Sequence, residues 1–154
     1  MKNALGQVAL IFSFVAILFS AQAQITEPTT ETMLKLKTRS EVFTQKFLSA
    51  NVSDVEGQMS ETLRRTITPD TVRTIAGDVM RKGGELQEIG SAAILVQEDG
   101  RIVGMVPLYM RNENFHSQVV FERASERAKI IGYSIVPYQP ELHANRSSLS
   151  TSRR

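Results

Sequence analysis

Two periodicities divide the chain. From Thr30 to Ala50 the apolar residues Met33, Leu36, Phe43, Phe47 and Leu48 recur at helical spacings, with Lys35, Arg39, Glu41 and Lys46 largely off that stripe. The spacing predicts an amphipathic helix with one face to bury. "NVSD" interrupts the pattern, and Ser53 or Asp54 is placed to cap a second, shorter helix in which Val55, Met59 and Leu63 recur every fourth residue. Gly57 weakens that helix. A third is better punctuated: Thr68 caps it, Pro69 fits its first turn, and Asp70 suits the positive end of its dipole. Val72, Ile75, Ala76 and Val79 form its apolar face, and "KGG" at 82–84 ends it, with Gly83 expected at the left-handed position.

From Leu86 onward the period falls to two, and the pattern predicts an antiparallel meander of four strands near 86–97, 101–110, 115–123 and 129–137. "EDGR" carries a hairpin Asp-Gly pair, while "RNEN" and "ASER" read as polar loops. Three N-terminal helices packed on a four-stranded antiparallel meander make an α+β fold. In the third strand Phe115, Val119 and Phe121 share one face, and His116, Gln118 and Glu122 share the other, which is expected to be solvated. The second strand is apolar both ways: Ile102, Val106 and Leu108 point one way, Val103, Met105 and Tyr109 the other. An antiparallel sheet covered on both faces needs further helices or another subunit. Val103, Met105 and Tyr109 are therefore candidate interface residues for a homodimer formed through the sheet. Gly104 and Pro107 suggest a bulge there, and hence a strongly curved sheet.

The first 23 residues form a separate unit. Lys2, the apolar run "ALGQVALIFSFVAILFS" and "AQA" at 21–23 match a signal peptide, with cleavage expected after Ala23. Residues 24–29 read as a linker, 30–138 as the α+β domain, and 139–154 as a disordered polar tail. Such a product is secreted or periplasmic, with no stable membrane association once the leader is removed. The chain has no cysteine, so neither a disulfide nor a lipidated cysteine contributes. Removing Lys2 leaves 17 basic against 16 acidic residues, a balance that names no partner. "LRR" at 63–65 is too short a basic signal for nucleic acid.

Catalytic and metal signatures are sparse. His143 lies in the predicted tail, no Gly-x-Ser-x-Gly elbow is present, and Gly83 and Gly84 close a helix where a phosphate loop would open one. Tyr109 and Tyr133 lie on strands, where a tyrosine usually packs in the core with its hydroxyl at the rim. No catalytic, cofactor-binding or metal-ligating residue is singled out, and nothing calls for a cofactor. Asn51 and Asn145 begin Asn-x-Ser sequons, which matter only on a eukaryotic secretory route.

The order and spacing of "SDVEGQM", "TPDTVRTIAGDVMRKGGELQEIG", "VGMVPLYM", "SQVVFE" and "AKIIGYSIVP" resemble the nuclear transport factor 2-like superfamily. The resemblance covers about residues 30–138 and is closest to an uncharacterised exported branch, a domain of unknown function sometimes attached to hydrolases. It implies a cone in which a curved sheet wraps the helices around an apolar pocket. Met59, Met80, Met110, Phe115 and Tyr133 are candidate lining for that pocket. The scaffold hosts enzymes, binding modules and dimerisation domains, so it does not choose among them. The favoured expectation is a small non-catalytic domain that binds an apolar ligand in the cone or a protein partner through the sheet. The alternatives are a lyase or isomerase acting on a small hydrophobic substrate, and an accessory domain of a hydrolase system.

Overall fold

The computed structural model describes residues 28–138. The expected leader, most of the linker and the tail with His143 and Asn145 lie outside the described residues. The elements run α1 Thr30–Leu48, a 3-10 segment Ser53–Gln58, α2 Glu61–Thr66, α3 Pro69–Gly83, β1 Leu86–Ile89, β2 Ala93–Val96, β3 Ile102–Met110, β4 Phe115–Phe121 and β5 Ile130–Pro137. The arrangement is α+β, with helices followed by an open antiparallel sheet of five strands. Among the described residues no helix is long and apolar enough to cross a membrane.

Side-chain caps fix where two of the predicted helices begin. The Thr29 hydroxyl accepts the Thr32 N–H at the start of α1, and Thr68 accepts the Thr71 N–H at the start of α3. The stripe of α1 buries Leu36, Ser40, Phe43, Thr44, Phe47 and Leu48. The second predicted helix is divided. Val52 stands at the N-cap of its 3-10 part without a side-chain bond, and Asp54 pairs with Lys46 at 2.7 Å. Met59 then turns extended to bridge Ile130, and the Ser60 N–H donates to the Ile130 carbonyl at 2.8 Å. Ser60 starts α2 by capping the Leu63 N–H. Pairing with β5 thus overrides a helical spacing that was real in the sequence. Gly83 is the last residue of α3, and the positive φ of +76° belongs to Gly84, one residue later than expected.

The predicted first strand is also two. β1 and β2 pair in succession with the same edge of β3, β1 near Met110 and β2 near Ile102, and 90–92 form the step between them. Glu41 of α1 holds that step by accepting the Ala92 N–H at 2.8 Å. Pro107 lies opposite it, its carbonyl accepting from the Gly90 N–H at 2.8 Å. In an antiparallel strand the N–H and C=O of one residue point to the same side. The missing N–H of Pro107 therefore faces the interrupted edge and costs the β4 ladder nothing.

The bulge expected at Gly104 and Pro107 is absent, because β3 pairs with β4 without a shift from Ile102 to Leu108. Irregularities occur instead between Leu86 and Glu88 and between Val120 and Phe121. Gly104 has a different cause: a Cβ there would stand 1.9 Å from the Ser40 Oγ, so glycine lets α1 lie directly on the strand. Ile102, Val106 and Leu108 are wholly buried on the helix side, as their alternation implied. The core forms two clusters. One joins Leu36, Phe43 and Phe47 to Val72, Ile102, Val119 and Phe121, and the other gathers Leu48 and Val79 against Leu108, Met110 and Phe115.

Candidate functional site

The polar side chains enclosed between α1 and the sheet are the place to seek chemistry, since each must be satisfied without bulk water. Ser40 and Thr44 stand one helical turn apart on the buried face of α1, and Ser117 alternates with Phe115 and Val119 on the facing side of β4. The Thr44 Oγ1 and Ser117 Oγ share a 2.6 Å hydrogen bond. Ser40 donates to the Leu36 carbonyl at 2.8 Å, so its hydroxyl is committed within its own helix.

Tyr133 of β5 completes the group. Its ring stands edge-on to Phe43, with centroids 5.1 Å apart, and tilted against Phe47 at 4.3 Å. The hydroxyl is enclosed near Thr44 and Ser117 but makes no hydrogen bond of proper geometry among the described residues. Burial pushes its ionisation well above the ordinary tyrosine value, and the neighbouring Thr44 and Ser117 hydroxyls offset only part of that rise. The expectation of a hydroxyl at the rim is thus reversed. At neutral pH Tyr133 is a neutral phenol held among two hydroxyls and two aromatic rings, and it is poorly suited to accept or release a proton.

Folding holds Tyr133 neutral beyond the pH, near 10.0, at which an unfolded tyrosine ionises. Its contribution to stability is therefore full below about pH 10 and declines as pH rises toward the elevated folded value. Tyr133→Phe removes an enclosed oxygen that lacks a well-formed hydrogen bond. We expect it to be as stable as the parent, or about 1 kcal/mol more stable, at neutral pH, and to lose less stability under alkaline conditions. Urea unfolding at neutral pH and above pH 10 checks this. A variant clearly weaker at neutral pH, with an unchanged alkaline slope, contradicts it.

His116 corrects the expectation of a solvated strand histidine. It does lie on the face away from the helices, opposite Pro107 and Val136, but it is wholly buried, with its ring 4.9 Å from that of Tyr138. Glu122 on the same face is exposed.

The candidate pocket residues separate into the two clusters. Met59 and Tyr133 pack in the first, and Met80, Met110 and Phe115 in the second. Two concavities among the described residues lie elsewhere, both open to solvent. One lies where α1 meets the β1–β2 step, at Glu41, Gln45, Gly90 and Ser91, and the other beside Leu34, Arg39 and Glu126. Of the candidate interface residues, Val103 is half-buried, Met105 is 6 % exposed, and Tyr109 is 39 % exposed. Among the described residues no three His, Asp or Glu side chains gather as a metal site.

Sequence reasoning passes over Ser40, Thr44 and Ser117, and places Arg39 only as a polar residue off the α1 stripe. For the first three a signal existed, since each occupies a core-facing position of an otherwise apolar period. Arg39 is the unexpected one. Its Nε donates to Gln58 at 2.9 Å, and its two terminal nitrogens donate to the Glu126 and Ala128 carbonyls at 2.8 Å each. Its guanidinium also lies 5.0 Å from the centre of the Phe121 ring. It is a structural clamp from α1 to the β4–β5 loop. Comparison with protein families, curated proteins and solved structures finds no match.

Proposed function

We propose that the chain is an exported, non-catalytic interaction domain with a nuclear transport factor 2-like arrangement whose interior is closed, so that recognition falls to the sheet and the partner is a protein. One observation carries this reading. The space between α1 and the sheet, where a ligand-binding cone would be hollow, is occupied by Phe43, Phe47 and Tyr133 in mutual ring contact. The wholly buried Phe43 and Phe47 rings each contribute about 2–3 kcal/mol by leaving water, a gain that an emptied pocket would forfeit. Within that space Thr44 and Ser117 hydrogen-bond to each other, and Ser40 bonds within its own helix. Tyr109 on the outer face remains substantially exposed and is the candidate interface residue best able to meet a partner.

The lyase or isomerase alternative would need a buried acid or base in a pocket that substrate can enter. Among the described residues Tyr133, with its hydroxyl enclosed, is the group whose ionisation is strongly shifted, but it is shifted away from neutral pH and neither concavity is lined by it. Titration with the apolar fluorophore anilinonaphthalene sulfonate tests the reading. We expect weak, non-saturating emission from the folded chain. Saturable binding of one probe per folded chain overturns it.

A further inference from the structure

The two edges of the sheet are unequal. One edge is β1 and β2, each only four residues long and separated by the 90–92 step, and short, broken strands of this kind resist pairing with other chains. The other is β5, eight residues long, whose sequence "IIGYSIVP" has no Lys, Arg, Asp or Glu. Its first residue is covered, since the Ile130 carbonyl accepts the Ser60 N–H. Its last, Pro137, has no N–H to offer. Between them lies a strand edge without the charges that usually discourage association.

Hydrogen-bond parity shows which groups that edge presents. The Tyr138 N–H donates to the Asn114 carbonyl, on the β4 side. Alternate residues share a direction, so Val136, Ser134 and Gly132, opposite His116, Gln118 and Val120, also bond toward β4. Tyr133 and Ile135 then direct their N–H and C=O groups outward, where no partner engages them among the described residues. Pro137 falls on the same outward parity, the placement that an edge strand tolerates.

We propose that β5 pairs antiparallel with β5 of a second copy of this chain, about a twofold axis at Ser134, to make one continuous sheet across the dimer. This rests on the reading of the chain as an interaction domain and names its partner. In this register Tyr133 of each copy meets Ile135 of the other, and each pair exchanges both backbone hydrogen bonds. Ser134 meets its own counterpart in a position without backbone bonds, and Pro137 lies opposite Ile131 at the end of the run. Self-pairing brings no like charges together, because the strand carries none. Ile131, 37 % exposed beside the irregularity in β4–β5 pairing, loses solvent contact on association.

The chain lacks cysteine, so single cysteines report the geometry directly. Facing residues in such a pair have Cα atoms about 4.5 Å apart, within the span of a disulfide. On mild oxidation Ser134→Cys is expected to form a covalent dimer roughly tenfold faster than the control Ser91→Cys on the opposite edge. Ser134→Lys and Ser134→Glu are each expected to sediment as monomers and to recover a dimer when mixed, which an unfolded variant would not do. Fastest cross-linking by Tyr109→Cys overturns the edge pairing but leaves association through the outer face standing. Equal, slow cross-linking by all three cysteine variants, with a monomer by light scattering, overturns the edge pairing. Saturable probe uptake would instead fell the underlying reading.

Discussion

Gly104→Ala is expected to destabilise the fold by about 3 kcal/mol, at the upper end of what overpacking a close contact costs. The added Cβ would stand 1.9 Å from the Ser40 Oγ and 2.7 Å from the Ser40 Cβ, and Ser40 belongs to a helix that cannot retreat without parting Phe43 and Phe47 from the sheet. Ser40→Gly removes both opposing atoms at a helix-propensity cost of roughly 0.5 kcal/mol. The double variant should therefore be less damaged than the sum of the singles, with a coupling of about 2 kcal/mol in urea unfolding. Additive effects would mean that the close approach of α1 to β3 is not what selects glycine.

Arg39→Ala has the next largest expected effect, also about 3 kcal/mol, because it strips charged donors from Gln58 and from the Glu126 and Ala128 carbonyls at once. Arg39→Lys should recover less than half of that, since an ammonium cannot span two carbonyls and a side-chain amide in a fixed fork. Burial lowers the ionisation of Arg39 below its ordinary value, yet a guanidinium stays charged at neutral pH. Its partners in this clamp are neutral acceptors, so the loss should be nearly independent of added salt, unlike that of a surface ion pair. Denaturation of the variants at low and high ionic strength checks this. Loss of the effect in salt, or full rescue by lysine, would contradict the clamp.

The extent to which this fold was legible depended on how local its causes are. Thr29 and Thr68 start their helices through bonds to residues three positions on, and the alternation in 115–121 correctly placed Phe115, Val119 and Phe121 toward the helices. The strand over 86–97 is interrupted where Glu41, about fifty residues away, accepts the Ala92 N–H, and the short second helix is interrupted where Met59 bridges β5. Such causes leave no period in the chain. Pro107 suggests a bulge in the sequence because its own strand is visible there and the interruption in its neighbour is not. Gln118 and Glu122 beside it make His116 look solvated in the sequence, whereas its burial depends on tertiary neighbours such as Tyr138.

The candidate site shows the same division. Parity in β4 puts Ser117 inside, and the helical stripe puts Ser40 and Thr44 inside, so three members of the buried polar group were present in the pattern. That Tyr133 turns its hydroxyl inward toward them follows from the packing of Phe43 and Phe47, which no one segment encodes.

The central claim is that the interior is filled and that the sheet carries recognition. Native mass spectrometry of the protein purified from cells that express the full chain tests it most directly. We expect two bare chains per particle, dissociating to bare monomers on activation. A single chain retaining a small apolar molecule would contradict the claim.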